Sequence, residues 1–334
     1  MAQPLMPQVM GRRLVRSRDL AEIFANVPKW QIEHQMLSRP VGISQSGMMN
    51  FGTVGLASNR FNALVRATGG VPRGQIAIGL DIAGRPGRQF GGRKLGGNDA
   101  LIGYSGAELD YLHPPGFVGL SLTLPGELLE LALAQRGTGS ASLSPYRAAR
   151  ICRTERATLP DLWALFDQLA AALHSSNAPF GNAVMGGFIQ AELVDAAATL
   201  VGHHQQRAAE DDRHVWHHRR PIVYRAEEFM RANIAEPITL HQICAAARAS
   251  ERTVEYAFRD VYRVGAKRFL KLLRLNHVHR QLRQADPGTA VIQAIAQQAG
   301  LWHMGHFSVD YRSLFGEPPS QTLGRLGAAA TARG

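Results

Sequence analysis

The chain has 334 residues, 45% of them hydrophobic and 19% charged, with 34 glycines, 17 prolines and two cysteines. That composition is too apolar for a disordered chain and lacks the period of a fibrous one. Cys152 and Cys244 are too few for a disulfide scaffold or a multi-cysteine zinc site, and they suit a reducing compartment.

No stretch approaches the roughly 18 apolar residues of a membrane span, and Arg12, Arg13, Arg16 and Arg18 do not lead into an apolar signal core, so no membrane is expected and the location is expected to be cytoplasmic. The net charge is +11 and unevenly placed: residues 213–334 hold 18 Lys/Arg against 9 Asp/Glu, whereas residues 1–212 hold 19 against 17. A basic C-terminal third on a nearly neutral remainder fits a domain that meets a polyanion, and equally a solvated basic surface. Helical periodicity has to decide.

In chain order, residues 1–40 read as irregular, with one short helix near Asp19–Asn26. From Gly42 to Leu124 short β-like runs (Gly47–Leu56, Arg60–Ala67, Gln75–Ile82, Gly116–Leu124) alternate with turn clusters such as Gly69-Gly70-Val71-Pro72-Arg73-Gly74 and Ala83-Gly84-Arg85-Pro86-Gly87-Arg88. This texture predicts a small antiparallel sandwich or barrel. Pro125 then opens a helix through Leu133. After a Gly/Ser stretch, Gly137–Ser144, come two helices, Leu159–His174 and Gly187–Val201, and a polar run, His203–Arg220. Beyond Pro221 the chain is almost wholly helical, with stops at Pro237, Pro287 and Pro318-Pro319.

In that last third, Leu240, Ile243, Cys244 and Ala247 form one apolar helical stripe. After a turn at Arg248–Ala249, Ser250 is placed as an N-cap and Val254, Ala257, Phe258 and Val261 repeat the spacing. Two short helices joined by a tight turn, the second with a polar outer face, describe a helix-turn-helix. The arrangement returns downstream. Ile292, Ile295, Ala296 and Ala299 make a stripe, Gly300 a turn, and Phe307, Tyr311, Leu314 and Phe315 a second stripe. Val254, Phe258, Val261 and Tyr262 match those last four at a constant offset of 53. One such hairpin is common; two in tandem, joined by a basic helix over about Lys267–Gln284, are far more specific.

The segment Ile238–Leu323 resembles the DNA-binding domain of the AraC/XylS family of bacterial transcription regulators. The resemblance lies in Phe269-Leu270-Lys271-Leu272-Leu273-Arg274-Leu275, in Leu282, and in the run Gly300-Leu301-Trp302-His303-Met304-Gly305-His306-Phe307 through Phe315-Gly316-Glu317-Pro318-Pro319-Ser320. The N-terminal texture is similar to the ethanolamine-operon regulator subgroup. Arg248 and Arg263 depart from the pattern, standing where the family commonly has glycine. Either the turns are built differently here or these arginines accept a positive φ.

The resemblance implies an α+β, two-domain protein: an N-terminal β-rich sandwich or barrel-like region with appended helices, and a C-terminal all-α double helix-turn-helix. Residues 1–205 would sense an effector and dimerise (β-rich about 42–124, helical about 125–202). Residues 206–220 would be a linker, 221–325 the DNA-binding domain (motifs about 240–261 and 292–315), and 326–334 a flexible tail.

Each second helix would enter a major groove, the two about one DNA turn, roughly 34 Å, apart. Carried over by position, the DNA-facing residues are Arg252, Thr253, Glu255, Tyr256 and Arg259 in the first motif, and His303, Gly305, His306 and Val309 in the second. Ser250, Lys267, Lys271 and Arg312 are phosphate candidates. Arg252 can donate twice to a guanine edge, Glu255 can accept from cytosine and Val309 can touch a thymine methyl. Competing roles stay open at this point. Glu255 can pair with a neighbouring arginine, and Tyr256 can pack on the domain. Lys267, Arg268, Lys271, Arg280 and Arg283 can form a solvated basic face, and Cys244 can be a buried hydrophobe.

The partners implied are double-stranded promoter or operator DNA, an unknown small-molecule effector and RNA polymerase, with a homodimer as an option; no cofactor and no metal are expected. The rival reading is an enzyme or metal-binding β-barrel domain fused to a DNA-binding tail. No nucleophile elbow, phosphate loop or dinucleotide fingerprint supports it. His113 is the only histidine between residues 40 and 130, and His203, His204, His214, His217 and His218 lack regular ligand spacing. Phe51, Phe61, Phe90, Tyr104 and Phe117 either line an effector pocket or belong to the core. A third reading, an architectural DNA binder without sensing, fits poorly with so large and neutral an N-terminal region.

Overall fold

Alternating burial along Phe117–Pro125, with leucines 120, 122 and 124 fully inside, is the signature of a strand with one covered face. The computed structural model describes residues 13–24, 32–84, 86–137, 143, 149–154, 156–175, 183–211 and 219–324. Its strands are β1 (Arg13–Ser17), β2 (Ile32–Met36), β3 (Ser44–Phe51), β4 (Val54–Phe61), β5 (Val65–Gly70), β6 (Gln75–Asp81), β7 (Gln89–Phe90), β8 (Arg93–Lys94), β9 (Asp99–Gly103), β10 (Glu108–His113), β11 (Phe117–Pro125) and β12 (Arg150–Arg153). Its helices are α1 (Leu20–Phe24), α2 (Gly126–Arg136), α3 (Pro160–His174), α4 (Ala183–Asp211), α5 (Arg220–Ala232), α6 (Leu240–Ala247), α7 (Glu251–Tyr262), α8 (Ala266–Gln284), α9 (Ile292–Gln298) and α10 (Met304–Phe315).

The strands form a seven-stranded sheet, β1-β3-β4-β11-β6-β9-β12, and a five-stranded sheet, β2-β5-β10-β7-β8. Their pairings are antiparallel. The fold class is therefore mixed α+β, with a β-rich N-terminal part and a helical C-terminal part.

Three cores organise the molecule. In one, Leu56, Ile78 and Leu122 of the larger sheet pack under α2, α3 and α4 through Leu129, Trp163, Phe166 and Leu200. Gly47 permits that cover, because a Cβ there would lie 2.6 Å from the Leu173 carbonyl. A second, smaller core joins the sheets through Phe90, Leu101 and Leu109. The third is continuous across both parts of the chain: Met36, Leu37, Phe61, Val65 and Phe117 share it with Met230, Phe258, Phe269 and Phe307.

Several expectations change here. The described part of residues 1–40 holds strands as well as a helix: β1 and β2 each form the edge of a sheet, and the helix spans Leu20–Phe24. Strands β9, β10 and β12 were not foreseen, and β12 falls in the stretch read as helical. Helix α4 runs on to Asp211, so the segment assigned to a linker from residue 206 begins as helix. Residues 212–218, with His214, His217 and His218, lie outside the described residues, as does the tail 326–334. His203 and His204 belong to α4, and His204 is buried. Phe51, Phe61, Phe90, Tyr104 and Phe117 are all buried, while Cys244 is half-buried and Cys152 fully buried.

Candidate nucleic-acid interface

Local chemistry sets the first motif. Thr239 caps α6 in a reciprocal box with Gln242, and the Ser250 hydroxyl accepts from the Thr253 amide at 3.2 Å to start α7. Val254, Ala257, Phe258, Val261 and Tyr262 are buried, the Phe258 ring 5.2 Å from Phe269 and Tyr262 stacked on Phe269 at 4.6 Å. In the second motif Phe307, Tyr311, Leu314 and Phe315 are buried on α10. The twin stripes thus face inward.

The opposite faces are open. Arg252, Thr253, Tyr256 and Arg259 are exposed on α7, with the Arg252 guanidinium 5.5 Å from the Tyr256 ring centre. Tyr256 does not pack on the domain; it is 48% exposed. At the start of α10, His303 and His306 are exposed with their rings edge to face at 6.3 Å, Gly305 is open, and Val309 is 70% exposed. Trp302, which precedes His303 in the chain, is 55% exposed.

Glu255 behaves differently from the base-contacting role open to it. Its carboxylate accepts from the Ala266 amide at 3.2 Å, capping α8, and lies 3.7 Å from Arg259 Nε. Gly265 makes room for it, since a Cβ there would meet Glu255 Oε2 at 2.4 Å. Among the phosphate candidates, Ser250, Lys267, Lys271 and Arg312 are exposed, but Ser250 is engaged as a cap and Lys271 pairs with Asp310 at 2.8 Å. Arg248 and Arg263 take φ of 53° and 63°, so the turns keep their left-handed geometry and the arginines accept it.

The basic linking helix is not simply a solvated face. Most of α8 is buried, and two of its arginines turn toward the N-terminal part. Arg280 pairs with Glu33 at 2.7 Å, and Arg283 pairs with Asp19. The Asn276 side chain accepts from the Met36 amide and donates to the Met36 carbonyl, each at 2.9 Å, as a neighbouring strand would.

Two ionic clusters lie across this contact. In the first, Arg66 binds Asp110 at 3.0 Å and Glu227 at 2.6 Å, while the Tyr262 hydroxyl donates to Glu227 at 2.8 Å. Burial alone would raise the Glu227 carboxyl, but Arg66 and Arg231 outweigh it and hold it at about 2.

In the second cluster, Tyr311 donates to Thr322, which donates to Glu317. His279 Nδ1 lies 2.7 Å from the Tyr311 hydroxyl, and Nε2 lies 3.2 Å from Asp19 Oδ1. Burial works against the Asp19 charge, but His279 and Arg283 outweigh it and bring its carboxyl down to about 2.

Two polar-faced helices with buried roots, spaced by one long helix, define a tandem helix-turn-helix DNA-binding domain. Residues 243–325 match the family model described as "Helix-turn-helix domain". The chain is 30% identical over 102 residues to a probable thc operon regulatory protein of Rhodococcus erythropolis, covering 30% of this chain and 31% of that protein. It is 25% identical over 152 residues to a XylDLEGF operon transcriptional activator of Pseudomonas putida, covering 46% and 44%. These matches thus span less than half the length of either relative.

Among solved structures, a probable AraC family transcriptional regulator from Rhodopseudomonas palustris is 37% identical, covering 31% of this chain and 95% of that one, with a TM-score of 0.29. The helical C-terminal domain is an AraC-type helix-turn-helix domain, similar to those of XylS/AraC-type operon regulators.

Proposed function

We propose that this protein is a promoter-binding transcription regulator, an activator, whose N-terminal part responds to a small-molecule effector. The observation that carries the DNA-binding part is the pairing of two exposed faces, Arg252–Tyr256–Arg259 and His303–His306–Val309, on helices whose other faces are core. Arg252 reads a base edge, assisted by Thr253 and Tyr256. Lys267 and Arg312 hold phosphate, as does Lys271 once it leaves Asp310. Glu255 acts from within by fixing α8. The relatives named as operon activators support the sign of regulation. They also support a regulatory rather than an enzymatic role; a cytoplasmic location, RNA polymerase as a partner and a homodimer as an option belong to the same proposal.

The effector reading draws support from the interior of the β-rich part. Arg88 is 2% exposed and its Nε has no acceptor among the described residues; its guanidinium lies 5.5 Å and 5.7 Å from the Tyr111 and Phe117 rings. Burial, with Arg88 adding to it, pushes His113 well down, and its Nδ1 is likewise unpartnered among the described residues. Polar atoms left in this state between apolar sheets suit a polar ligand.

The test is a mobility shift of the full chain on the DNA upstream of its own gene. Arg252→Ala is expected to weaken binding and to relax preference at one base pair by about 1–3 kcal/mol. Unchanged affinity and an unchanged footprint would reject that contact.

A further inference from the structure

Among the described residues, Arg248 and Arg263 are the two non-glycine residues with positive φ, and both end a helix of the first motif. The second motif places Gly300 (φ 72°) and Gly316 (φ 80°) at its own turns. A Cβ is strained in this region and a glycine is not, so two arginines there are unfavourable for folding. Backbone outliers of this kind gather at ligand clamps.

The surroundings separate the two arginines. Arg263 lies at the end of α7 that faces the N-terminal part. Three residues earlier, the Asp260 carbonyl accepts from Gln89 Nε2 at 3.2 Å, and the Asp260 carboxylate pairs with Arg219. Nothing in the structure explains why residue 263 is an arginine.

Arg248 lies at the other end, two residues before the Ser250 cap. It is exposed, and its guanidinium makes no hydrogen bond or ion pair among the described residues. It lines an open groove of about 420 Å³ with His241, Cys244, Ser250 and Glu251. The exposed row of α7, Arg252 then Tyr256, begins just beyond.

We propose that Arg248 grips a DNA phosphate beside the first recognition helix, and that Arg263 does not. The inference rests on reading α7 as a recognition helix. A phosphate contact carries no sequence information, so any duplex reports it.

The experiment follows binding of the full chain to a duplex of about 40 base pairs of arbitrary sequence by fluorescence anisotropy over a salt series. It is run alongside thermal unfolding of Arg248→Gly, Arg263→Gly and Arg248→Ala. Both glycine variants are expected to unfold about 2 °C higher than wild type. Arg248→Gly alone should bind roughly three- to tenfold more weakly at low salt, with a salt slope shallower by about 0.9. Arg248→Ala should lose the same affinity without the thermal gain, because it keeps the Cβ. Wild-type affinity and slope in Arg248→Gly, or an equal loss in Arg263→Gly, would overturn the proposal. A wild-type chain that binds no duplex would reject the reading of α7 and this inference with it.

Discussion

The two helix-turn-helix motifs have similar cores but different fastenings. The first starts its recognition helix with a serine cap and ends helices on arginines in the left-handed region; the second starts α10 without a side-chain cap and uses Gly300 and Gly316. The N-terminal part reaches both, but by unlike routes. It holds the first head through Arg66, Glu227 and Tyr262, and the second through Asp19, His279 and Tyr311. Tyr262 ends the first chain on Glu227, whereas Tyr311 passes the second on through Thr322 to Glu317. An N-terminal part attached this way can bias the two motifs separately, because each motif has its own tether.

Cutting one tether at a time tests that difference. Among single substitutions the largest effect is expected from Glu227→Ala, which strands Arg66, Arg231 and the Tyr262 hydroxyl without their shared acceptor. Breaking such a buried pair typically costs about 3–5 kcal/mol, read from the denaturant midpoint of the full chain. An effect below about 1 kcal/mol would show that the cluster is hydrated and does not fasten the first head.

Acid comes next, because it acts on both tethers at once. Glu227 and Asp19 each have a folded pKa held at about 2, below the ordinary carboxylate range. Groups depressed in this way stabilise the fold fully above their unfolded pKa, near 4, and lose that contribution as the pH falls toward 2. Each is worth on the order of 3 kcal/mol. Stability should therefore drop steeply between about pH 4.5 and 2, and Asp19→Asn should flatten part of that drop. A pH profile identical to wild type in Asp19→Asn would argue against the second tether.

The smallest effects concern the turns. Gly300→Ala places a Cβ 2.8 Å from both the Ile234 carbonyl and the Arg274 guanidinium carbon at a positive φ, whereas Gly316→Ala meets open space. The first should cost about 2–3 kcal/mol and the second about 1 kcal/mol, compared by thermal melts. Equal costs would mean that backbone strain alone, and not the close approach of Ile234, makes Gly300 necessary.

Much of the helical domain was legible because its information is local. The stripe Val254–Ala257–Phe258–Val261 and its echo 53 residues later are one-dimensional patterns, and the Ser250 cap is a neighbouring-residue rule. Strands β2 and β10 escaped because their charged and polar residues, Glu33, Gln35 and Asp110 among them, break the apolar alternation. Glu33 is half-buried against Arg231 and Arg280, and Asp110 is buried against Arg66, partners that lie elsewhere in the chain. The ion pairs Glu33–Arg280 and Asp19–Arg283 join residues about 250 positions apart, so Arg280 and Arg283 looked like solvated charges on a basic helix. Glu255 misled for a related reason. Its position in the recognition helix suggested a base contact, but the amide it caps, at Ala266, belongs to the next helix.

The central claim is that both heads meet one duplex side by side. Hydroxyl-radical footprinting of the full chain on the DNA upstream of its own gene tests it most directly. Two protected stretches about 10 base pairs apart on one face of the helix are expected, the first shrinking in Arg252→Ala and the second in a His303→Ala, His306→Ala double variant. A single protected stretch, or protection unmoved by either change, would contradict the account.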